Sequence, residues 1–242
     1  MVWIQRVAPR PFAARRVVCF PHAGGSPYFF QQWGKALDGF EVHAVCYPGR
    51  AERMAEEPAG RLIPMAREIA REAADLMRED DRPTVFFGHS MGAVVAYETA
   101  VALADDRLAP HHLFASGARA PHLMRPDPDA RWDDASIAAT LVELGGTDAE
   151  LLDNPAFVEF VLPYIGADFR MLSSYAPAPR APLECALTAL VGEDDPRVTL
   201  DQASAWRETT RGAFAVRTLP GDHFYLAHHP PFGIIEGSAA GC

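Results

Sequence analysis

Five consecutive residues, Gly88-His89-Ser90-Met91-Gly92, form a G-x-S-x-G pattern that can present a serine hydroxyl as a nucleophile. The bare pattern arises readily by chance, so its surroundings carry the argument. An apolar run of strand type (83–88) precedes it, and a nearly all-apolar helical stretch (91–103) follows. The chemistry explains the glycines. Ser90 must sit on a strained turn with its hydroxyl exposed, and only small neighbours let a strand and a helix approach so closely. The start of that helix also sets the Met91 backbone N–H beside the reacting atom, where it serves as an oxyanion donor.

A serine nucleophile needs a base, and the base needs an orienting carboxylate. On a strand–turn–helix elbow of this kind the chain order is Ser, acid, His, with both partners in loops just after downstream strands. LVGEDDPRV (190–198) follows one strand candidate and offers Glu193, Asp194 and Asp195. LPGDHFYL (219–226) follows the last one and offers His223, with His228 and His229 as rivals farther from the strand end. His223 is the favoured base. Asp195 is the favoured acid because Pro196 pins its backbone, while Asp194 could instead cap the turn.

Acyl transfer to Ser90 would also call for a second N–H donor from an early strand-to-helix loop. PHAGG (21–25) follows the first strand candidate, and no Gly-Lys-Ser/Thr comes after it, so it is not a phosphate loop. Gly24 and Gly25 would let it turn sharply and aim the Ala23 N–H into the site, with His22 bracing the loop. A turn shaped only for folding is the alternative reading.

These residues need a frame. Short apolar, β-branched runs at 15–20, 40–47, 83–88, 112–117, 186–192 and 213–220 read as strands with helical patterns between them. Over 61–78, Leu62, Met65, Ala66, Ile69, Ala73, Leu76 and Met77 recur at helical spacing, which predicts an amphipathic helix covering a sheet. The alternation predicts an α/β fold, a mostly parallel central sheet with helices on both faces.

The alternation breaks once, over 126–175, where two helical patterns (133–144, closed by Gly145-Gly146, and 155–175) replace strands. Pro163 and Gly166 should bend the second. The insertion reads either as a helix pair completing the core or as a lid over a hydrophobic channel walled by Phe157, Phe160, Phe169, Met171 and Leu172. The tail AHHPPFGIIEGSAAGC, with Pro230, Pro231, Gly233 and Gly237, opposes a final helix.

Composition bounds the function. A chain of 242 residues fits a single domain with an insertion. A net charge of −10 argues against nucleic-acid binding. The four cysteines (Cys19, Cys46, Cys185, Cys242) show no metal-ligand spacing, and three lie in apolar runs. The N-terminus has no apolar targeting region and no stretch approaches membrane-spanning length, so a cytoplasmic protein without metal or cofactor is expected.

Together these segments resemble the type II (editing) thioesterases of the α/β-hydrolase superfamily. The resembling stretches are FPHAGGSPYFFQQW (20–33), YPGRAER (47–53), FFGHSMGA (86–93), ADFRMLSSY (167–175), GEDDPRV (192–198) and GDHFYL (221–226). The resemblance implies an α/β-hydrolase fold and hydrolysis of acyl thioesters from the phosphopantetheine arm of an acyl or peptidyl carrier protein, in polyketide or nonribosomal peptide synthesis. It implies Ser90, Asp195 and His223 as the triad, Ala23 and Met91 as the oxyanion donors, and the insertion as a lid. A monomer is expected. The family normally closes with an amphipathic helix, from which this tail departs. A carboxylesterase or acyltransferase on the same scaffold is the runner-up, and a catalytically silent binding protein is a third reading. An acidic carrier docking on an acidic chain would need a local arginine patch, for which Arg50, Arg53, Arg119 and Arg125 are the candidates.

Overall fold

The computed structural model describes residues 2–145 and 152–238. Gly146 and Cys242, both used in the sequence reading, lie outside the described residues. Seven strands build one sheet: β1 (Ile4–Ala8), β2 (Arg15–Phe20), β3 (Phe40–Val45), β4 (Thr84–His89), β5 (His112–Ser116), β6 (Ala186–Gly192) and β7 (Phe214–Leu219). Their spatial order is β1-β3-β2-β4-β5-β6-β7, with β1 antiparallel to β3 and every other pair parallel. The helices are α1 (Trp33–Ala36), α2 (Leu62–Arg78), α3 (Met91–Asp105), α4 (Asp134–Glu143), α5 (Pro155–Phe160), α6 (Leu162–Ser173), α7 (Leu200–Ser204) and α8 (Phe232–Gly237).

The strands β3, β4 and β5 are buried at every position, which is why they read as continuous apolar runs. Alternate residues feed two cores. Val18, Phe20 and Phe86 face α2 and α3, whereas Val17, Cys19, Val85 and Phe87 face Phe30, Trp33 and Ile235. Helix α2 buries the expected stripe of Leu62, Met65, Ala66, Ile69, Ala73 and Leu76. Strand β2 sits between β3 and β4, so the chain turns to opposite sides of it in succession. That switch point opens a crevice at the carboxyl ends of β2 and β4.

Three expectations need correction. The sequence reading has no strand at β1, a short edge strand whose burial is mostly partial. The Trp3 and Ile4 N–H groups leading into it donate to the Glu72 carboxylate of α2. The tail does form a helix, α8, with Pro231 at its N-cap. A proline before the first turn costs no intrahelical bond, and Gly233 and Gly237 have open space where a side chain would be. Phe232 packs edge-on against Trp33 (5.2 Å between centroids) and Ile235 is fully buried, so tertiary contact outweighs weak propensity. Finally, the pattern over 155–175 is two helices that break at Val161. Pro163 falls in the first turn of α6, where it is tolerated. Gly166 lies inside α6, which runs unbroken from Leu162 to Ser173. A side chain there would meet Ile137 Cδ1 at 2.6 Å, so its smallness lets α4 and α6 cross closely.

The segment between β5 and β6 carries α4, α5 and α6. Ile137, Leu141, Leu162, Ile165 and Phe169 form a small core of their own, while Met171 and Tyr175 join the main core. The Tyr175 hydroxyl donates to Glu98 of α3 at 2.6 Å. The segment thus divides its apolar residues between the main core and a small core of its own.

Candidate active site

The elbow follows β4. Ser90 has φ +55°, an unfavourable backbone for a residue with a side chain, and its N–H donates to the Ser116 carbonyl at 2.8 Å. A Cβ on Gly88 would lie 2.2 Å from the Gly92 carbonyl oxygen, and one on Gly92 would lie 2.0 Å from that of Phe20. Neither position has room for a side chain, so both glycines are required for the strand–helix approach.

Ser90 Oγ lies 3.0 Å from His223 Nε2, and His223 Nδ1 lies 2.8 Å from Asp195 Oδ2. The other oxygen of Asp195 accepts the N–H groups of Arg197 (2.9 Å) and Val198 (3.2 Å). The carboxylate is thereby held in one orientation and fully buried. The loops that carry the pair are set by β6 and β7, whose last register partners are Gly192 and Leu219. The Asp194 N–H then donates to the Gly221 carbonyl at 3.0 Å, and Asp194 itself stays exposed. His228 and His229 are exposed, and His223 is the one of the three candidates bonded to Ser90.

The loop after β2 lies beside the elbow, because Phe20 pairs with Gly88 at the ends of their strands. Its N–H groups divide cleanly. That of Gly24 donates to Asp168 Oδ2 (2.8 Å) and that of Gly25 to the His22 carbonyl (2.9 Å). Among the described residues neither the Ala23 N–H nor that of Met91, first in α3, has an acceptor. His22 packs edge-on against Phe29 (5.1 Å) and Phe224 (4.8 Å). Burial, followed by the fields of His223 and Arg50, pushes its pKa down to about 3, so it stands neutral as a brace.

A cavity of about 300 Å³ opens from Ser90 and His223. It lies between Val94, Met124, Val198 and the Trp132, Leu144, Phe169 and Leu172 side chains of the insertion. Trp132 stacks on Phe169 (4.7 Å, 13° between planes) and donates from Nε1 to Ser173 Oγ at 2.7 Å. Of the five expected walls only Phe169 and Leu172 line it. Met171 is buried in the main core, Phe157 packs within the insertion, and Phe160 is 60% exposed. Helical spacing could not tell which face of α6 meets the site.

The arginines also divide. Arg119 and Arg125 line the cavity, but Arg50 and Arg53 are buried and cannot form a docking surface. Arg50 instead makes a bidentate ion pair with Asp168 (2.5 and 2.8 Å), a contact that sequence reasoning missed. Its signal was an Asp standing among the apolar residues of the 155–175 pattern. A second missed feature is a buried chain from His89 Nδ1 to Ser116 Oγ (2.8 Å) to the Tyr225 hydroxyl (2.6 Å), which packs under the elbow. Burial lowers the His89 pKa well below the usual range, with His223 and His22 adding to it.

A family model, the thioesterase domain, matches residues 15–236. The chain belongs to the thioesterase family. A Streptomyces griseus protein named "Probable cadicidin biosynthesis thioesterase" is 40% identical over 94% of this thioesterase, which spans 62% of that relative's length. Thioesterase PikA5 of Streptomyces venezuelae is 37% identical, with 93% of this chain and 80% of the relative covered. The solved structure of BorB, the type II thioesterase from the borrelidin biosynthetic cluster, superposes with a TM-score of 0.86 at 35% identity. That match covers 98% of this thioesterase and 97% of BorB. The sheet order and the elbow are thus those of an α/β-hydrolase-type thioesterase, a serine hydrolase of the type II kind.

Proposed function

We propose that this thioesterase hydrolyses acyl thioesters from the phosphopantetheine arm of acyl or peptidyl carrier proteins, editing polyketide or nonribosomal peptide assembly. The observation that carries the reading is the continuous line from Asp195 through His223 to Ser90, with links of 2.8 and 3.0 Å.

Ser90 Oγ attacks the thioester carbonyl carbon as its proton passes to His223 Nε2. Asp195 holds the imidazole and offsets the imidazolium charge. The carbonyl oxygen becomes an oxyanion and accepts the Ala23 and Met91 N–H groups, which have no acceptor among the described residues. Collapse breaks the carbon–sulfur bond, and the departing pantetheine sulfur takes the proton from His223. Water, deprotonated by His223, then attacks the acyl ester on Ser90, and collapse breaks the bond to Ser90 Oγ, which takes the proton back from His223 as the acid is released.

The insertion at 126–175 acts as a lid within a single α/β-hydrolase domain, and the acyl chain lies along Trp132, Phe169 and Leu172. A volume of about 300 Å³ is at the small end of ligand sites, roughly 300–1,000 Å³. Arg119 and Arg125 supply the local positive charge with which an acidic carrier is met. Among the described residues Arg119 has no ion-pair or hydrogen-bond partner, and Arg125 donates only to the carbonyls of His122 and Met124. Buried free thiols at Cys19, Cys46 and Cys185 suit a reducing cytoplasm, and no described helix is long and apolar enough to cross a membrane.

The test is a turnover panel of acyl groups on pantetheine, on a carrier protein and as oxygen esters. The reading requires carrier-bound thioesters to be hydrolysed fastest. Equal or faster cleavage of oxygen esters would replace it with a carboxylesterase.

A further inference from the structure

The buried ion pair between Arg50 and Asp168 is not part of the triad, yet it touches the oxyanion loop at two points. Asp168 Oδ2 accepts the Gly24 N–H at 2.8 Å. Arg50, from the loop after β3, donates to both Asp168 oxygens and from Nη1 to the Gly25 carbonyl at 3.3 Å. One turn before Asp168, Ile165 closes on the same glycine: a Cβ on Gly24 would lie 2.7 Å from Ile165 Cγ1. Gly24 itself has φ +76°, a conformation suited to glycine. Tyr164 covers the guanidinium from the side, 4.8 Å from ring centroid to Cζ. Helix α6 therefore presents Ile165 and Asp168, three residues apart on one face, to the loop that holds Ala23.

We propose that the Arg50–Asp168 pair is the positioning device of the oxyanion hole, fixing the loop so that Ala23 is the one residue of that loop whose N–H stays directed at the reacting oxygen, opposite Met91. Three successive N–H groups leave a tight turn, and a turn free to relax would spread them among water and the nearest carbonyls. The Gly25 N–H is closed onto His22 within the loop, but the Gly24 N–H is closed onto a carboxylate from another element. A charged acceptor makes that bond strong, and its burial makes the alternative of leaving it unmade costly. Asp168 could not be left charged in this place alone, and Arg50 is the cation that allows it. The side chains of both are only 2% exposed, so neither is there for solubility or docking.

The proposal rests on the reading of Ala23 as an oxyanion donor, and the experiment separates the two. The probes are an alkylboronic acid and a thioether analogue of an acyl-pantetheine. The boronic acid accepts Ser90 Oγ at boron as the proton passes to His223, which forms a tetrahedral adduct with an oxygen in the oxyanion hole. The thioether occupies the cavity without forming one. The variants are Asp168→Asn and the double variant Arg50→Met with Asp168→Leu. The double change removes both charges at similar volume and remains foldable if the single variant does not.

In either folded variant, kcat should fall about 10- to 100-fold, as for a displaced oxyanion donor, with KM within about twofold. Boronate affinity should fall by the same factor and thioether affinity should not change. A double variant that binds the boronate as tightly as the parent overturns the proposal, and so does a parallel loss of both ligands. Failure of the parent itself to bind the boronate would instead refute the oxyanion reading on which the proposal stands.

Discussion

Phe20 and Gly88 are the last register partners of β2 and β4, and the Phe20 carbonyl reaches back over the elbow until a Cβ on Gly92 would stand 2.0 Å from it. The end of one strand thus packs directly on the first turn of the helix that follows its neighbour. This contact places the Ala23 loop and Ser90 side by side. Gly92→Ala should push the two apart and lower stability by about 1–3 kcal/mol, the usual cost of overpacking. Thermal melting reads the stability and fluorophosphonate labelling of Ser90 reads the site. An unchanged melting temperature with full labelling would mean that the elbow tolerates a side chain there.

Ser90→Ala removes one hydroxyl and should leave the fold intact. Thioester hydrolysis should fall by roughly 10³-fold or more, leaving whatever the oxyanion donors and binding alone provide. Circular dichroism checks the fold and thiol release checks the rate. Near-normal turnover would remove Ser90 from the mechanism.

Asp195→Asn should cost far more activity than Asp194→Asn. Asp195 bonds His223 Nδ1 and is itself held by two backbone N–H groups, whereas Asp194 is exposed. An amide in the first position favours the wrong imidazole tautomer and should lower kcat by up to about 10⁴-fold. The reverse ranking would shift the orienting role by one residue.

Phe169→Ala should extend the acyl cavity, and Phe160→Ala should not. Phe169 lines the site, while Phe160 is not part of its lining and is exposed. Each further methylene buried in the enlarged cavity contributes roughly 0.8 kcal/mol, so the best substrate should lengthen by a few carbons. An acyl-chain series on pantetheine measures this. A parallel fall for all chain lengths would make Phe169 a packing residue of the insertion and nothing more.

His112 offers a clean pH prediction away from the site. It is stacked 4.4 Å from Phe114 and bonded to Thr188 Oγ1 at 2.9 Å. Burial, then the field of His111, lowers its pKa to about 4. The unfolded chain binds a proton near pH 6.5 and the folded one does not until about 4, so the unfolded state gains protons first as pH falls. Stability is full above pH 6.5 and declines between about 6.5 and 4, by an amount on the order of a few kcal/mol from this residue. His112→Gln should flatten that decline in urea-melt stabilities measured across the range. An equally steep decline in the variant would assign it to His22, His43 and His89, whose pKa values burial also lowers, to about 3 and about 4 for the first two.

The sequence by itself determined the local elements of the site. A G-x-S-x-G between a strand and an apolar helix, an acid before a proline after one strand, and a histidine after the next all depend on short-range periodicity and turn chemistry. The buried strands and the stripe of α2 were legible for the same reason. Only the tertiary structure decided which face of α6 meets the acyl cavity, because Phe169 and Met171 are equally apolar and differ only in what packs against them. It also decided that β1 and α8 form, since each owes its stability to partners distant in sequence, β3 and Glu72 for one, Trp33 for the other. Arg50 shows the division most sharply. On the chain it is one loop arginine among several, suited to solvent or to a carrier protein. A carboxylate 118 residues away makes it a buried cation, because a charge may leave water only where another charge meets it.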